Sequence, residues 1–287
     1  MPASKTITIN FLQELYLAPL SLLEFPRKGI AVEDFIETLS AEGCVFRQDN
    51  DLLHWVNKEG FGEYTLSSMC KKPVFFTETC ASTNTWARET VEKENISEGI
   101  FASAEQRSGR GRMGRTWIAD NQHSLTVSFV VSPKIKIEEV AICSLVWMAS
   151  IAKELGLFVK WPNDIVTSEG KKIGGSLTEL VDHRPTIVFG LGMNVSHEIP
   201  PLETASSLRL EEQTTNRMEL LRLVSDIVYG VQSFDLDIWR DRSLYTGKKI
   251  RVQDIEGMMT GIRADGALLI DNRPILVGDV ELVEDKR

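Results

Sequence analysis

Apolar residues follow three different rhythms along the chain. Over Ala31 to Ala41 they fall at Val32, Phe35, Ile36 and Leu39, one face at 3.6-residue spacing. That predicts an amphipathic helix with Gly43 behind it as C-cap. Phe11 to Leu23 is apolar and helix-compatible. Val45-Phe46 and Leu52 to Val56 read as short strands on either side of Gln48-Asp49-Asn50-Asp51, a turn-rich hairpin tip. Beyond residue 70 the rhythm alternates between strand and helix. Val74 to Phe76, Gly99 to Glu105, Ser124 to Val131, Lys172 to Val181 and Thr186 to Val195 read as strands. Thr83 to Lys93, with Ser82 as N-cap, Ile137 to Leu155 ended by Gly156, and Glu219 to Trp239 read as helices. Phe158 to Trp161 is extended, as Pro162 requires of the residue before it. From Gly247 the pattern tightens into close-set strands, Lys249 to Gln253, Met258 to Ile262, Leu268 to Asp271 and Asp279 to Leu282. Gly257, Asp265-Gly266, Pro274 and Gly278 punctuate them.

These rhythms predict three units. Residues 1–70, in the order helix, helix, hairpin, suggest a winged helix. Residues 71–242 carry mixed strands with helices packed on them, an α+β or α/β core. Residues 243–287 form a small β-barrel or β-sandwich.

A chain of 287 residues buries roughly three quarters of its unfolded surface, so its core needs no disulfide or metal. Its net charge of −9 argues against a general nucleic-acid or membrane-surface binder and leaves room for a local basic site. Cys44, Cys70, Cys80 and Cys143 include no CxxC pair and read as reduced thiols of a cytoplasmic protein. His54, His123, His183 and His197 show no zinc-ligand spacing, and no metal site is expected. There is no signal-peptide pattern. The longest uncharged apolar stretch, Val140 to Ala152, is too short to span a bilayer and reads as a buried helix.

Four polar segments interrupt the core pattern. The first is Gly109-Arg110-Gly111-Arg112-Met113-Gly114-Arg115-Thr116-Trp117. Only Met113 and Trp117 in it can fill a core. Its glycines allow close approach of backbone to ligand, and its arginines offer forked donors, so it is suited to fold around an anion. The second is Lys160-Trp161-Pro162-Asn163-Asp164 with Lys171-Lys172-Ile173-Gly174-Gly175. It places lysines at strand ends and glycines where a ligand or another backbone comes close. The third is Ser82-Thr83-Asn84 at a helix start, and the fourth is Phe189-Gly190-Leu191-Gly192-Met193-Asn194-Val195.

In content and order these segments resemble the biotin protein ligases, over about residues 75 to 285. The lipoate ligases are similar in fold but lack the Gly-Arg-Gly-Arg run. The resemblance implies an α+β fold of the class II synthetase-like type, with a central mixed sheet, a winged-helix-like unit before it and an SH3-like β-barrel after it. It also implies ATP-dependent formation of biotinyl-5′-AMP, then transfer of biotin to a lysine of a biotin carboxyl carrier protein. Biotin and ATP are then substrates, and Mg²⁺ is carried with ATP. By family position Ser82, Thr83, Asn84 and Gln106 meet the ureido end of biotin. Arg110, Gly111, Arg112, Lys160 and Gly174 complete the biotin site. Arg115, Trp117 (stacked on adenine), Asn163, Lys172 and Asn194 hold the nucleotide. Arg110, Arg112, Lys160 and Lys172 carry the catalytic charge, because step one brings two anions together. No general base is assigned.

Some members of this family also repress transcription through the N-terminal unit. Here residues 1–70 hold five Lys/Arg (5, 27, 28, 47, 58) against ten Asp/Glu, and the segment around the would-be recognition helix carries Glu33, Asp34, Glu37 and Glu42 with no base. Such a face repels a duplex, which argues against DNA as a partner. A biotin-responsive regulator and, more weakly, a lipoate ligase are the alternative readings. A homodimer is left open, and no membrane partner is expected.

Overall fold

The structure, a computed structural model, describes residues 5–120, 122–133, 136, 139–181, 186–198, 202–213, 216–231 and 233–283. Helix α1 spans Lys5–Leu17 and ends one residue before Ala18-Pro19. It is therefore shorter than the apolar run, whose later residues form β1 (Leu20–Ser21) and lead into α2 (Glu24–Arg27). Helix α3 (Val32–Ser40) is the amphipathic helix, and it turns Phe35 and Leu39 inward. Gly43 lies beyond its C-cap, Ala41, at φ +92°. Strands β2 (Phe46–Asp49) and β3 (Leu52–Trp55) make the hairpin, and β1 adds to its other edge in the order β1-β3-β2. Phe25 ties the unit together, with its ring 4.7 Å from Phe11 and 5.2 Å from Phe35. Helix α4 (Glu63–Met69) follows. Glu42 serves this helix: its carboxylate accepts from the Tyr64 and Thr65 amides, each at 2.8 Å, where a negative charge offsets the helix dipole.

A seven-stranded sheet forms the centre. Its parts are β4 (Val74–Cys80), α5 (Thr83–Glu94), β5 (Gly99–Gln106), β6 (Ser124–Val131), α6 (Val140–Glu154), β7 (Phe158–Lys160), β8 (Asp164–Val166), β9 (Lys172–Val181) and β10 (Thr186–Asn194). The strand order is β4-β5-β6-β10-β9-β8-β7, with β4 and β5 parallel and every other pair antiparallel. Strand alternation sorts the two faces. Phe101, Val130 and Val188 pack with Ala87 and Val91 of α5. Their neighbours Ile100, Phe129, Ile187 and Phe189 join the larger core with Trp147 of α6. Ile137 and the residue after it lie outside the described residues. The expected helix 219–239 is two helices, α7 (Arg217–Gly230) and α8 (Asp237–Arg242). Val231 after α7 is extended, and Phe234 packs inward to meet Trp147 edge-on at 5.7 Å.

The last sheet contains β11 (Lys249–Val252), β12 (Ile255–Ile262), β13 (Leu268–Ile270), β14 (Arg273–Ile275) and β15 (Glu281–Leu282), in the order β14-β13-β12-β11-β15. Pro274 sits on an edge strand, the place a residue without an N–H can occupy. A bulge between Met259 and Gly261, with Gly261 at φ +144°, bends β12. The sheet docks on the centre where the Trp161 indole donates to the Gly266 carbonyl at 3.1 Å. The protein is an α+β fold, and this small antiparallel sheet fits an SH3-like unit.

Candidate active site

A cavity of about 350 Å³ lies over β9 and β10. Its floor needs glycine. Gly192 pairs with Gly175 across the two strands, and Gly190 stands two residues back on β10. A Cβ on Gly190 would come within 2.0 Å of Asn84 Oδ1, and one on Gly192 within 2.4 Å of the Trp117 indole. The two glycines thus admit two different side chains at points about 7 Å apart along one strand.

At the Gly190 end the start of α5 supplies a buried polar cluster. The Thr83 amide and hydroxyl donate to Gln106 Oε1 at 2.7 and 3.0 Å. Ser128, one strand over, donates to Asn84 Oδ1 at 2.6 Å. Asn84 Nδ2 donates to the Leu177 carbonyl at 3.0 Å and to Glu179 at 2.9 Å, which fixes its amide orientation. Ser82 occupies the N-cap position of α5, but its side chain makes no cap bond and instead lines the cavity. Hydroxyls and amides here converge on a small space, as recognition of a polar uncharged ring edge requires.

The glycine–arginine segment is a tight reversal over the cavity. Gly111 N donates to Arg115 O at 2.7 Å and Trp117 N to Gly109 O at 2.9 Å, with Met113 and Gly114 both at positive φ. Each arginine reaches a different wall. Arg110 pairs with Glu179 at 3.1 Å, Arg112 contacts Asn163 at 3.5 Å, and Arg115 pairs with Asp279 of the C-terminal sheet. Burial lowers the Arg112 pKa from its ordinary value, with Asp279 and Asp164 opposing the shift.

At the Gly192 end, Lys172 Nζ lies 2.7 Å from Asp164 and 5.8 Å from the Trp117 ring centre. Asn194 is buried, and its Nδ2 donates to the Ser206 carbonyl at 3.0 Å. Its Oδ1, and the Trp117 indole N–H, are buried without partners among the described residues. One unspent acceptor and one unspent donor on residues of the same cavity suit a heteroaromatic ring bearing an amino group.

Of the residues singled out in sequence, Ser82, Thr83, Asn84, Gln106, Arg110 and Gly111 line this one cavity. So do Arg112, Arg115, Trp117, Asn163, Lys172 and Asn194. Lys160 and Gly174 are not among its lining residues. Lys160 stands opposite Asp164 in the β7–β8 strand register, and its charge acts on Asp279 of the cavity wall. Arg115 chiefly, then Arg112 and Lys160, outweigh burial and hold the Asp279 carboxyl below the usual carboxylate range. Sequence reasoning passed over Ser128, Glu179 and Asp279, which arrive by strand register or from the far end of the chain. It also passed over Leu202, Thr204 and Ala205, which close one side.

The Biotin/lipoate A/B protein ligase family model matches residues 76–194. The chain is 25% identical over 244 residues to the Bifunctional ligase/repressor BirA of Bacillus spizizenii, across 73% of this chain and 74% of that protein. It is 29% identical over 218 residues to the Biotin--[acetyl-CoA-carboxylase] ligase of Mycobacterium tuberculosis, across 64% and 79% of the two chains. Among solved structures, the biotin protein ligase from Aquifex aeolicus in complex with biotin and ATP aligns with a TM-score of 0.61 at 26% identity, covering 75% of this chain and 100% of that one. With the glycine–arginine loop, the Asn163-Asp164 turn and the glycine-floored sheet brought to one cavity, the chain is similar to the biotin protein ligases in sequence and in fold.

Proposed function

We propose that this protein is an ATP-dependent biotin ligase that forms biotinyl-5′-AMP and passes biotin to a lysine of a biotin carboxyl carrier protein. One observation carries the reading. A single cavity joins a neutral polar pocket at Asn84 to a heteroaromatic slot at Trp117 and Asn194, with cations between them. Biotin has a neutral ureido head and an anionic tail, so the head suits the Ser82-Thr83-Asn84-Gln106 end and the tail points toward the cations. The nucleotide base suits Trp117, with its amino group toward Asn194 Oδ1. Stacking of this kind is worth about 1–3 kcal/mol.

In the first step a biotin carboxylate oxygen bonds to the α-phosphorus, and the bond from that phosphorus to the bridging oxygen breaks to release pyrophosphate. Arg110, Arg112 and Lys172 offset the repulsion between the anions and the charge that grows on the phosphates. Lys172 lines the cavity wall, and Lys160, whose field reaches Asp279 on that wall, joins them. Gly111 and Gly174 keep the backbone close, Arg115 and Asn163 attend the phosphates, and Lys160 attends the biotin carboxylate and the phosphate joined to it. Mg²⁺ enters as part of the nucleotide substrate. The wall's carboxylates Asp164 and Asp279 already pair with Lys172 and Arg115, and no metal cluster occurs among the described residues. In the second step a deprotonated lysine amine attacks the acyl carbon, the bond to the AMP oxygen breaks, and AMP departs with the electron pair. The closed loop shields the mixed anhydride from water.

The units we assign are 1–70, winged-helix-like, 71–242, catalytic, and 243–287, SH3-like. A test incubates the protein with biotin and MgATP and detects biotinyl-5′-AMP by mass, then adds a carrier domain and detects biotinylated lysine. Labelling by lipoate alone would overturn the assignment.

A further inference from the structure

Glu179 lies on β9, outside every segment that the sequence marks as chemical. Its carboxylate touches both the pocket head and the arginine loop. Oε2 accepts from Asn84 Nδ2 at 2.9 Å, and the Arg110 guanidinium lies 3.2 Å from Oε1 and 3.1 Å from Oε2. Asn84 is buried, while the Glu179 and Arg110 side chains are 23% and 42% exposed. The contact therefore runs from a rigid, desolvated position at the start of α5 out to a glycine-rich loop. The three loop anchors differ in what they report. Arg112 leads to the Asn163 turn and Arg115 to the C-terminal sheet, and only Arg110 leads back to the side chains that would read the acid's head.

We propose that Glu179 is a positioning residue that couples occupancy of the pocket head to closure of the arginine loop. Asn84 must keep its NH₂ toward Leu177 and Glu179 for its oxygen to face Ser128 and the cavity. A bound head group that bonds to this cluster adds a further partner to the already oriented Asn84 and so steadies the carboxylate that Asn84 holds. A fixed carboxylate is a better partner for the forked Arg110 side chain, because less rotamer entropy is lost on pairing. Substrate in the head pocket thereby favours the loop conformation that covers the reacting atoms. The charge on Glu179 is essential to this, since Arg110 has only donors to offer. A glutamine in its place keeps one acceptor for Asn84 and turns its own NH₂ toward Arg110, which leaves that arm of the loop unheld.

The inference rests on biotin as the acid proposed above, and the experiment separates the two. Biotin is titrated calorimetrically into the full-length protein without nucleotide. Exchange of the Gly111 and Trp117 amides, which close the loop's internal bonds, is followed by hydrogen–deuterium exchange. In the wild type, biotin slows that exchange about tenfold or more. Glu179→Gln loses the slowing and, because the coupling is reciprocal, weakens biotin by about the same tenfold with the melting temperature of the free protein unchanged, and Arg110→Ala gives the same loss of slowing. The double variant loses no more than either single one, as expected of one linked pair. Slowing that survives in Glu179→Gln overturns the proposal, and so does a parallel fall of affinity, protection and melting temperature, which marks a merely structural role. A wild type that binds biotin without any slowing also overturns it while leaving the ligase reading intact. A wild type that binds no biotin overturns the ligase reading itself.

Discussion

Arg115, in the loop over the cavity, and Asp279, just before the last strand, form an ion pair between residues 164 positions apart in sequence. The pair joins the C-terminal sheet to the glycine–arginine loop. Asp279 also lies within the fields of Arg112 and Lys160, so it offsets repulsion among cations that no substrate anion yet neutralises. Both partners are substantially exposed, at 60% and 41%, so the contact adds only about 0–1 kcal/mol to global stability. Asp279→Ala is expected to leave the melting temperature nearly unchanged and to speed release of biotinyl-5′-AMP by up to about fivefold. The check is a filter-retention time course against wild type, and unchanged release removes the C-terminal sheet from loop control. Because the folded carboxyl has a depressed pKa, its contribution is present above the unfolded value near 3.8 and is lost only as pH falls through the folded one. Release is therefore expected to show no Asp279-dependent change between about pH 5 and pH 8.

The two floor glycines should separate the two substrates. Gly190→Ala drives a methyl into Asn84, and Gly192→Ala drives one into the Trp117 ring. Either overpacking costs about 1–3 kcal/mol where it falls. Gly190→Ala is expected to raise the KM for biotin by about tenfold or more with a smaller change for ATP, and Gly192→Ala to do the reverse. Gly192→Ala should also change Trp117 fluorescence, since that indole loses its seat. Steady-state kinetics with each substrate varied would expose the error if both variants damaged the same KM.

Lys172 and Lys160 carry equal charge and unequal reach. Lys172 stands on the cavity wall beside Asp164, and Lys160 does not reach the lining. Lys172→Ala should lower the rate of adenylate formation by about 10²–10³-fold, the loss typical of a preorganised charge-stabilising donor. Lys160→Ala removes a charge whose field reaches Asp279 on the same wall, and it too should sharply reduce adenylate formation. Pyrophosphate release assays on both variants check this, and wild-type rates in either would mean that the site is wrongly placed.

The contrast between these lysines marks where sequence reading stops. Strand β6 spans the expected Ser124–Val131 and strand β9 the expected Lys172–Val181, because β-branched runs bounded by polar breaks leave little choice. The loop and the Ser82-Thr83-Asn84 corner were legible because glycine, arginine and clustered hydroxyls carry local meaning. Which lysine reaches the cavity is not local. It depends on the pairing of β7, β8 and β9, and the register shift between Ile165 and Val166 alters it. Asp279 and Glu179 were hidden for the same reason, since an acidic residue near a strand end announces nothing until a partner arrives. The break after Gly230 was masked by apolar spacing that continues through it, although Phe234 serves the core outside any helix.

The N-terminal unit carries the element order of a winged helix, but its charges face the wrong way for DNA. Glu33, Asp34 and Glu37 are exposed on α3. Of the five bases in residues 1–70, Lys5 pairs with Glu63, Lys28 with Glu14, and Lys58 donates to the Tyr16 carbonyl over the Tyr16 ring. That leaves Arg27 and Arg47 for phosphate, too few to offset three carboxylates on the helix that would enter the groove. We expect no retardation of its own upstream DNA at low salt with protein up to about 10⁻⁵ M, with or without biotin and MgATP, since even unspecific binders reach that range. Replacing Glu33, Asp34 and Glu37 together by lysine should create weak, sequence-independent binding whose logarithm falls linearly with the logarithm of salt concentration. A specific shift from the unaltered protein would mean that contacts outside α3 carry DNA recognition.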